Sequence, residues 1–526
     1  MRQRLGGRSG GGGSLHGATG GASIIATPFP EVSRLFSARL PSRCMAGLLA
    51  AVLAFAPPLA QSQIDNLPRL GDASADELSP SMERRIGESI VGEMQRRGMI
   101  DDDAELTDWL NRFALALTST PPASGHDFRF FLVQDSTLNA FALPGGFVGV
   151  HTGLIVGTQS ESELASVLAH EIGHVTQRHI ARMLARQRQS SVMMIAAMVL
   201  AALAAGSNPQ AAGGLASLGS TVAQQQMLGF SRDAEREADR VGLDMLRQGG
   251  FDADAMVSFL TRLQNAGRLY ESGAPEYLRT HPVTSARIAD IQARISEGRY
   301  RQRPDSLEFR LARAKLRALG DTSVDGLQAS HTYFERQLRD RTIDEAAGWF
   351  GLATVAAAQR DAAQARAAIA EVRRRLPAPH RFVERLAAQV ELDAGQPRAA
   401  LALLDGALAR DPSSRALLRL RGRALFAEKR YAEAVPFLEQ SLALHRDDPQ
   451  LWELLSEVQQ ALDHPALAHR AAAERFVLLG ALPAAVEQLR LAQRARPADF
   501  HVASQIDSRL RELQAQWQRE REERVN

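Results

Sequence analysis

The strongest constraint on the fold of this 526-residue chain is a period of 34–35 residues in its C-terminal part. Ala365, Ala400 and Ala434 recur at steps of 35 and 34, and Ile369, Leu404 and Leu438 keep the same steps. Pro377 and Pro412 punctuate the pattern thirty-five residues apart. A unit of this length is enough for two helices and too short for a core of its own. Such pairs bury their apolar faces by stacking on one another, which gives a solenoid with a concave binding surface. From about Ser306 the texture is rich in Ala, Leu and Arg, so helices are expected throughout. Trp349, Leu352, Ala353, Ala356, Ala365, Ile369 and Pro377 mark one unit. Leu418, Gly422, Leu425, Ala434 and Leu438 mark a third, and Trp452, Leu455 and Ala468 a looser fourth. The last stretch, Leu510–Asn526, is dense in Arg, Glu and Gln and is expected to be a solvated capping helix.

Upstream of the repeats stands His170-Glu171-Ile172-Gly173-His174. The surrounding run, Glu161 to Arg186, has no proline and is rich in good helix formers, which predicts a helix. Residues four apart share a helix face, about 5–6 Å apart at Cβ, so His170 and His174 can grip one Zn²⁺. Glu171 points off that stripe, poorly placed as a ligand and well placed as a general base toward water. Two imidazoles leave the ion short of a protein ligand. Ser231 to Asp239 also has helical composition, and its Glu235 and Asp239 share a face. Glu235 is the expected third ligand, completing a His₂Glu set with an open fourth position. Asp239, one turn on, would accept a hydrogen bond from a ligand imidazole or orient the reacting groups. Glu237 is the alternative ligand. It sits about 200° round the helix from Glu235 and would turn Asp239 away, so Glu235 is preferred. The chemistry implied is metal-assisted peptide hydrolysis with one zinc per chain, and chelation is expected to leave the repeat part folded.

Phe128–Val133 is strand-like, and Asn139–Leu143 and Phe147–Val150 are two short strands around the turn Pro144-Gly145-Gly146. An edge strand beside the metal helix would hold an extended peptide through main-chain hydrogen bonds. Ser191–Ala205 is nearly all apolar but, at about fifteen residues, short of the roughly 20 that span a bilayer. A buried or lid-like hairpin is the first reading of it, and peripheral membrane contact through 191–205 the second.

The first sixty residues do not have the texture of a fold. Arg39 and Arg43 precede an apolar run from Met45 to Ala60, the pattern of a cleaved signal peptide, with Ala60-Gln61-Ser62 as its small-x-small site. Met45 is a second candidate start beside Met1. Residues 1–62 hold six Arg and one Glu, so the remainder carries a net charge near −3 and offers no basic surface for nucleic acid. Cys44 is the sole cysteine and lies in that segment, which suits an oxidising periplasm. The expected division is 1–62 extension and signal peptide, 63–305 metalloprotease domain and 306–526 repeat domain.

Together, His-Glu-Ile-Gly-His, the downstream Glu235-x-x-x-Asp239 and Asn139-Ala-Phe-Ala-Leu-Pro-Gly-Gly-Phe resemble the gluzincin family of HtpX and the CAAX prenyl endoproteases. The tail matches tetratricopeptide spacing, with Ala and Ile at some usual Gly, Tyr and Phe positions, and narrows the resemblance to the exported, BepA-like members. The resemblance implies a mainly α fold with a small β-sheet, a gluzincin-type zinc domain followed by a tetratricopeptide solenoid. It implies a periplasmic zinc endopeptidase with a chaperone-like role, acting with the barrel assembly machinery on unfolded or stalled outer-membrane β-barrel proteins. An assembly chaperone with a largely latent protease is the second reading. By position, His170, His174 and Glu235 would be zinc ligands, Glu171 the catalytic base and Asp239 a proton donor. His281, held out of helix by Pro282, would be a regulatory ligand able to occupy the fourth zinc position.

Overall fold

Two capped helices lead into the sheet. Ser79 accepts from the Met82 N–H to start α1 (Pro80–Arg96), and Asp103 accepts from Leu106 to start α2 (Ala104–Thr118). These assignments come from a computed structural model that describes residues 78–185, 231–269, 276–296, 303–495 and 499–525. All of them belong to the unit Gly71–Asn526. The signal-peptide region 1–62 and the apolar run Ser191–Ala205 lie outside the described residues.

The expected strands form as β1 (Arg129–Val133), β2 (Ala140–Leu143) and β3 (Phe147–His151). β3 is central, parallel to β1 and antiparallel to β2, with Gly149 opposite both Phe131 and Phe141. That leaves β2 as an edge strand of the three. The turn between β2 and β3 needs glycine twice: Gly145 has φ 76° and Gly146 φ 87°. A Cβ on Gly146 would also fall 2.2 Å from the Asp127 carbonyl oxygen.

After α3 (Thr152–Gly157), Ser160 caps α4 (Glu161–Thr176), the helix of the His-Glu-x-x-His motif. Every residue of α4 from Glu161 to His174 is buried, between β2 and α6 (Arg232–Gln248). The two helices meet backbone to backbone. A Cβ on Gly173 would sit 3.0 Å from Ala238 O, and one on Gly242 would sit 3.1 Å from His170 N. This close approach brings the carboxylates of α6 to the imidazoles of α4. Since backbone cannot yield, Gly242→Val should force the helices apart, cost about 1–3 kcal/mol and weaken metal retention. Denaturant unfolding of the variant measures the first effect, and unchanged stability would show the approach is loose.

The helix expected to run to Arg186 stops at Thr176. Arg178 takes a left-handed conformation, φ 51°, and the chain restarts as α5 (His179–Ala185). Tertiary contacts override local preference here: the Arg178 guanidinium donates to Glu83 Oε1 at 2.6 and 3.0 Å and to the Leu78 carbonyl at 2.7 Å. Among the described residues three further helices, α7 (Asp254–Leu269), α8 (Glu276–Thr280) and α9 (Ser285–Ser296), belong to the N-terminal half.

The repeats follow as helix pairs: α10 (Leu307–Leu319) with α11 (Val324–Arg339), α12 (Glu345–Ala358) with α13 (Ala362–Arg375), and α14 (Arg381–Asp393) with α15 (Pro397–Leu408). Next come α16 (Arg415–Ala427) with α17 (Tyr431–Leu444), α18 (Pro449–Ala461) with α19 (Pro465–Leu478), and α20 (Leu482–Arg494) with α21 (Phe500–Val525). The periodic residues Ala365, Ala400, Ala434 and Ile369, Leu404, Leu438 are all buried, so the period marks the inner face of each second helix. The C-terminal helix differs from expectation. α21 starts at Phe500 and is not simply solvated: Ile506, Leu510 and Leu513 are buried against Leu482, Val486 and Leu489. An i, i+4, i+7 stripe is hidden there among charged residues.

One hydrophobic core joins the two halves, running from Trp109 and Phe113 through Leu168 and Ile172 to Phe309, Phe350 and Phe382. At the junction, Glu161 at the start of α4 accepts from the N–H and hydroxyl of Ser306, and Asp305 accepts from the Glu161 N–H. Buried ion pairs add to it. Lys315 Nζ lies 2.7 Å from Glu105 Oε2 and 2.5 Å from Asp103 Oδ2, and Arg385 Nε is 3.0 Å from Glu105. Lys315→Met strands these carboxylates with Arg385 alone, and breaking a buried pair costs about 3–5 kcal/mol. We expect the lower end, about 3 kcal/mol, in denaturant unfolding at neutral pH. A loss below about 1 kcal/mol would place the pair with ordinary surface bridges. Among the described residues no helix is long and apolar enough to cross a membrane.

Candidate metal centre

α4 presents His170 and His174 one turn apart, with their Nε2 atoms 3.0 Å from each other. α6 brings Glu235, whose Oε2 is 3.5 Å from His170 Nε2 and whose Oε1 is 3.4 Å from His174 Nε2. His281 follows α8 directly, its N–H donating to Tyr277 O at 2.8 Å and its ring stacked on Tyr277 at 4.6 Å. Its Nδ1 lies 3.3 Å from His170 Nε2 and 3.1 Å from Glu235 Oε1. One donor atom from each of these four residues lies within 4.8 Å of the others, and all four side chains are buried. Glu171 borders the group, with Oε1 3.4 Å from His281 Nε2, and neither carboxylate oxygen has a well-aligned hydrogen-bond donor.

The residues behind this group come from α6 and α9. Asp239 Oδ1 faces His170 Nδ1 at 3.0 Å, on the side of the ring away from Nε2. Arg287 holds both Asp239 oxygens, at 2.7 and 2.8 Å, and reaches Glu235 Oε2 at 2.6 Å and the Pro282 carbonyl at 2.9 Å. Asp239 thus meets His170 on the Nδ1 side of its ring. Glu237, the alternative ligand, points away from the histidine pair and is 3.0 Å from His179 Nε2.

The electrostatics favour a bound cation. Burial disfavours charge on His170, but Asp239 and Glu235 outweigh it and raise its pKa to about 10. Burial also opposes ionised Glu235, and the imidazoles of His281, His170 and His174 more than offset this, holding it well below the usual carboxylate range. Burial keeps His174 well below its ordinary value, hence neutral and able to offer a lone pair, and pushes the Glu171 carboxyl up. Glu235 and Asp239 thus hold positive charge at His170 even though burial opposes it, which marks the group as a place where a cation is stabilised. The donor spacing fits as well: bonds of about 2.0–2.1 Å to a tetrahedral ion put donors about 3.3 Å apart. Five of the six pairs among the four residues approach to 3.0–3.5 Å, with both Glu235 oxygens taking part, and one donor set lies within 4.8 Å overall.

The structure thus brings together His170, Glu171, His174, Glu235, Asp239 and His281. Three participants escaped the sequence reading: Arg287, Tyr277 and His179. Arg287 lies five residues after Pro282, one of many arginines in helical texture, and its contacts span 48 residues to Asp239. Tyr277 carried a detectable signal, since a single aromatic one turn before His281 on a short helix stacks on it.

Comparison with known proteins agrees with this geometry. The model of peptidase family M48 matches residues 102–295, and a tetratricopeptide-repeat model matches residues 391–458. The Beta-barrel assembly-enhancing protease of Escherichia coli K12 is 31% identical over 480 residues, 90% of this chain and 97% of that one. Its Yersinia pestis namesake is 31% identical over 426 residues, 80% and 86% of the two chains. The Mitochondrial metalloendopeptidase OMA1 of Schizosaccharomyces pombe is 30% identical over 243 residues, 45% of this chain and 67% of that one. With its metal-binding group on α4 and α6 and its tail of helix pairs, the chain belongs to peptidase family M48, among the metallopeptidases of the beta-barrel assembly-enhancing type.

Proposed function

We propose that this protein is a periplasmic zinc endopeptidase that acts on unfolded or stalled outer-membrane β-barrel proteins and assists their assembly. The observation that carries the reading is the buried set His170, His174, Glu235 with Glu171 beside it. His170, His174 and Glu235 would hold the zinc ion, which when bound supplies Lewis acidity toward water and the scissile carbonyl. Glu171 takes the proton from the attacking water and hands it to the leaving amine; burial raises its pKa, which suits a group that must accept and release a proton near neutrality. Asp239, fixed by Arg287, orients His170. The β2 edge offers backbone pairing to an extended chain, which favours unfolded β segments over closed folds. Export is supported by the sequence pattern of Arg39, Arg43 and Met45–Ala60, and the partner class by the names of the relatives. The repeats 306–526 would hold clients or the barrel assembly machinery, while 63–305 carries the chemistry.

One observation favours a largely latent protease with assembly as the main role. His281 lies among the donors of His170, His174 and Glu235, where with an ion bound it would take the fourth position in place of water. As an off-switch it predicts that His281→Ala keeps its zinc and cleaves casein faster than the wild-type protein. Wild-type activity, or lost activity with zinc intact, would reject the switch. To rank the two roles, Glu171→Gln is expressed in cells lacking the native protein. Restored outer-membrane integrity makes assembly the main role, and failure to restore it makes cleavage the main role.

A further inference from the structure

Glu235, Glu237 and Asp239 alternate along the start of α6, and only Glu235 enters the metal-binding group. Asp239 faces His170 Nδ1 directly. Glu237 has a different set of contacts: its Oε2 is 3.0 Å from His179 Nε2 and 2.8 Å from Arg182 Nη2. His179 Nδ1 in turn is 2.8 Å from His174 Nδ1, with the two rings 4.8 Å apart and tilted by 72°. We propose that His179 and Glu237 form an orienting relay for His174, so that α6 sets both metal-binding imidazoles, Asp239 for His170 and Glu237 through His179 for His174. The proposal rests on the reading of His170 and His174 as metal ligands.

The chemistry of imidazole makes the relay self-consistent. A histidine that offers Nε2 to a metal carries its proton on Nδ1 and needs an acceptor there. His179 Nδ1 is that acceptor when its own proton sits on Nε2, and Glu237 Oε2 accepts that proton. One tautomer therefore satisfies every contact from carboxylate to ligand.

The backbone break described above serves this arrangement. On an unbroken helix residue 179 would lie about 140° round from residue 174, facing elsewhere. The left-handed Arg178, anchored to Glu83 and Leu78 O, turns the chain so that the His179 ring returns to His174. His179 is also buried, at 3% exposure, which preserves the strength of its contacts. His179 and Glu237 are positioning residues, since neither reaches the reacting atoms.

The test is the zinc affinity of the full-length protein, measured by competition with a chromogenic chelator. His179→Phe keeps a ring of similar size and removes the acceptor, and should weaken zinc binding about 10–100-fold. His179→Asn places an amide oxygen close to the Nδ1 position and should recover part of that loss, short of wild type because its amide does not extend to Glu237. His179→Gln, whose oxygen lies one bond further out, should bind less tightly than His179→Asn. A role in packing alone would lower the stability of the metal-free protein while leaving affinity unchanged and the Asn and Gln variants alike. The relay is overturned if His179→Phe binds zinc within about threefold of wild type, or if His179→Asn is no better than His179→Gln. Should His179→Phe fail to fold, the Asn and Gln comparison decides alone. His170→Ala in the same assay separates the two levels. If it keeps zinc, the ligand reading itself fails; if it loses zinc while the His179 variants do not, only the relay fails.

Discussion

Glu171→Gln should reduce peptide cleavage by about 10²–10⁴-fold, the usual contribution of a positioned general base, while the purified protein keeps its full metal content. Glutamine has the shape of glutamate and cannot take a proton from water, so the variant isolates the chemistry from the fold. Glu171 is fully buried, its oxygens lack aligned donors, and burial pushes its pKa up. A carboxylate in such a place is costly to the folded protein. Its replacement by a neutral isostere should therefore leave stability equal or higher, a signature of a residue kept for function rather than for packing. Casein cleavage, elemental analysis and denaturant unfolding of the same preparation check all three statements. Cleavage at the wild-type rate would remove Glu171 from the mechanism. Lost cleavage with lost metal would make it a determinant of the site's assembly.

How much of this was legible in the sequence follows the range of the interactions involved. His170 and His174 are four apart on one helix, and Glu235 and Asp239 likewise, so helical periodicity alone paired each set. The strands around Pro144-Gly145-Gly146 were marked by the glycines that only such a turn requires. The repeat period was visible because each second helix presents the same buried positions, Ala365, Ala400 and Ala434, to its neighbours. Hidden features depend on contacts far along the chain. The break at Arg178 carries no glycine or proline and is held by Glu83, 95 residues away. Arg287 reaches Asp239 across 48 residues, and nothing local sets it apart from its neighbouring arginines. The buried stripe of α21 was masked by charge density, and the core shared by Trp109 and Phe309 has no local signature.

That shared core shapes the second large effect, the response to metal loss. His170→Ala combined with His174→Ala removes two of the four donors and should reduce bound zinc from about one equivalent to background. Full retention in that double variant would mean the ligands lie elsewhere. For the unaltered protein, a ligand held at 1,000 times its dissociation constant contributes about 4 kcal/mol to folding, and a chelator removes that contribution. The sequence alone suggested that the repeats would be indifferent, because no candidate ligand falls in them. The structure argues for a graded response instead. Ile172 on α4 belongs to the same core as Phe309, Phe350 and Phe382 of the first repeats, and Glu161 on α4 is hydrogen-bonded to Ser306 at the junction. By contrast, Leu482, Val486 and Leu489 of α20 pack with Ile506, Leu510 and Leu513 of α21 in a separate cluster. Hydrogen exchange after chelation should therefore speed up first in α4 and α6, next in α10 and α12, and last in α20 and α21. Uniform acceleration along all the repeats would mean that the solenoid unfolds as one cooperative block with the metal site. Acceleration confined to α4 and α6 would mean that the shared core does not transmit the loss.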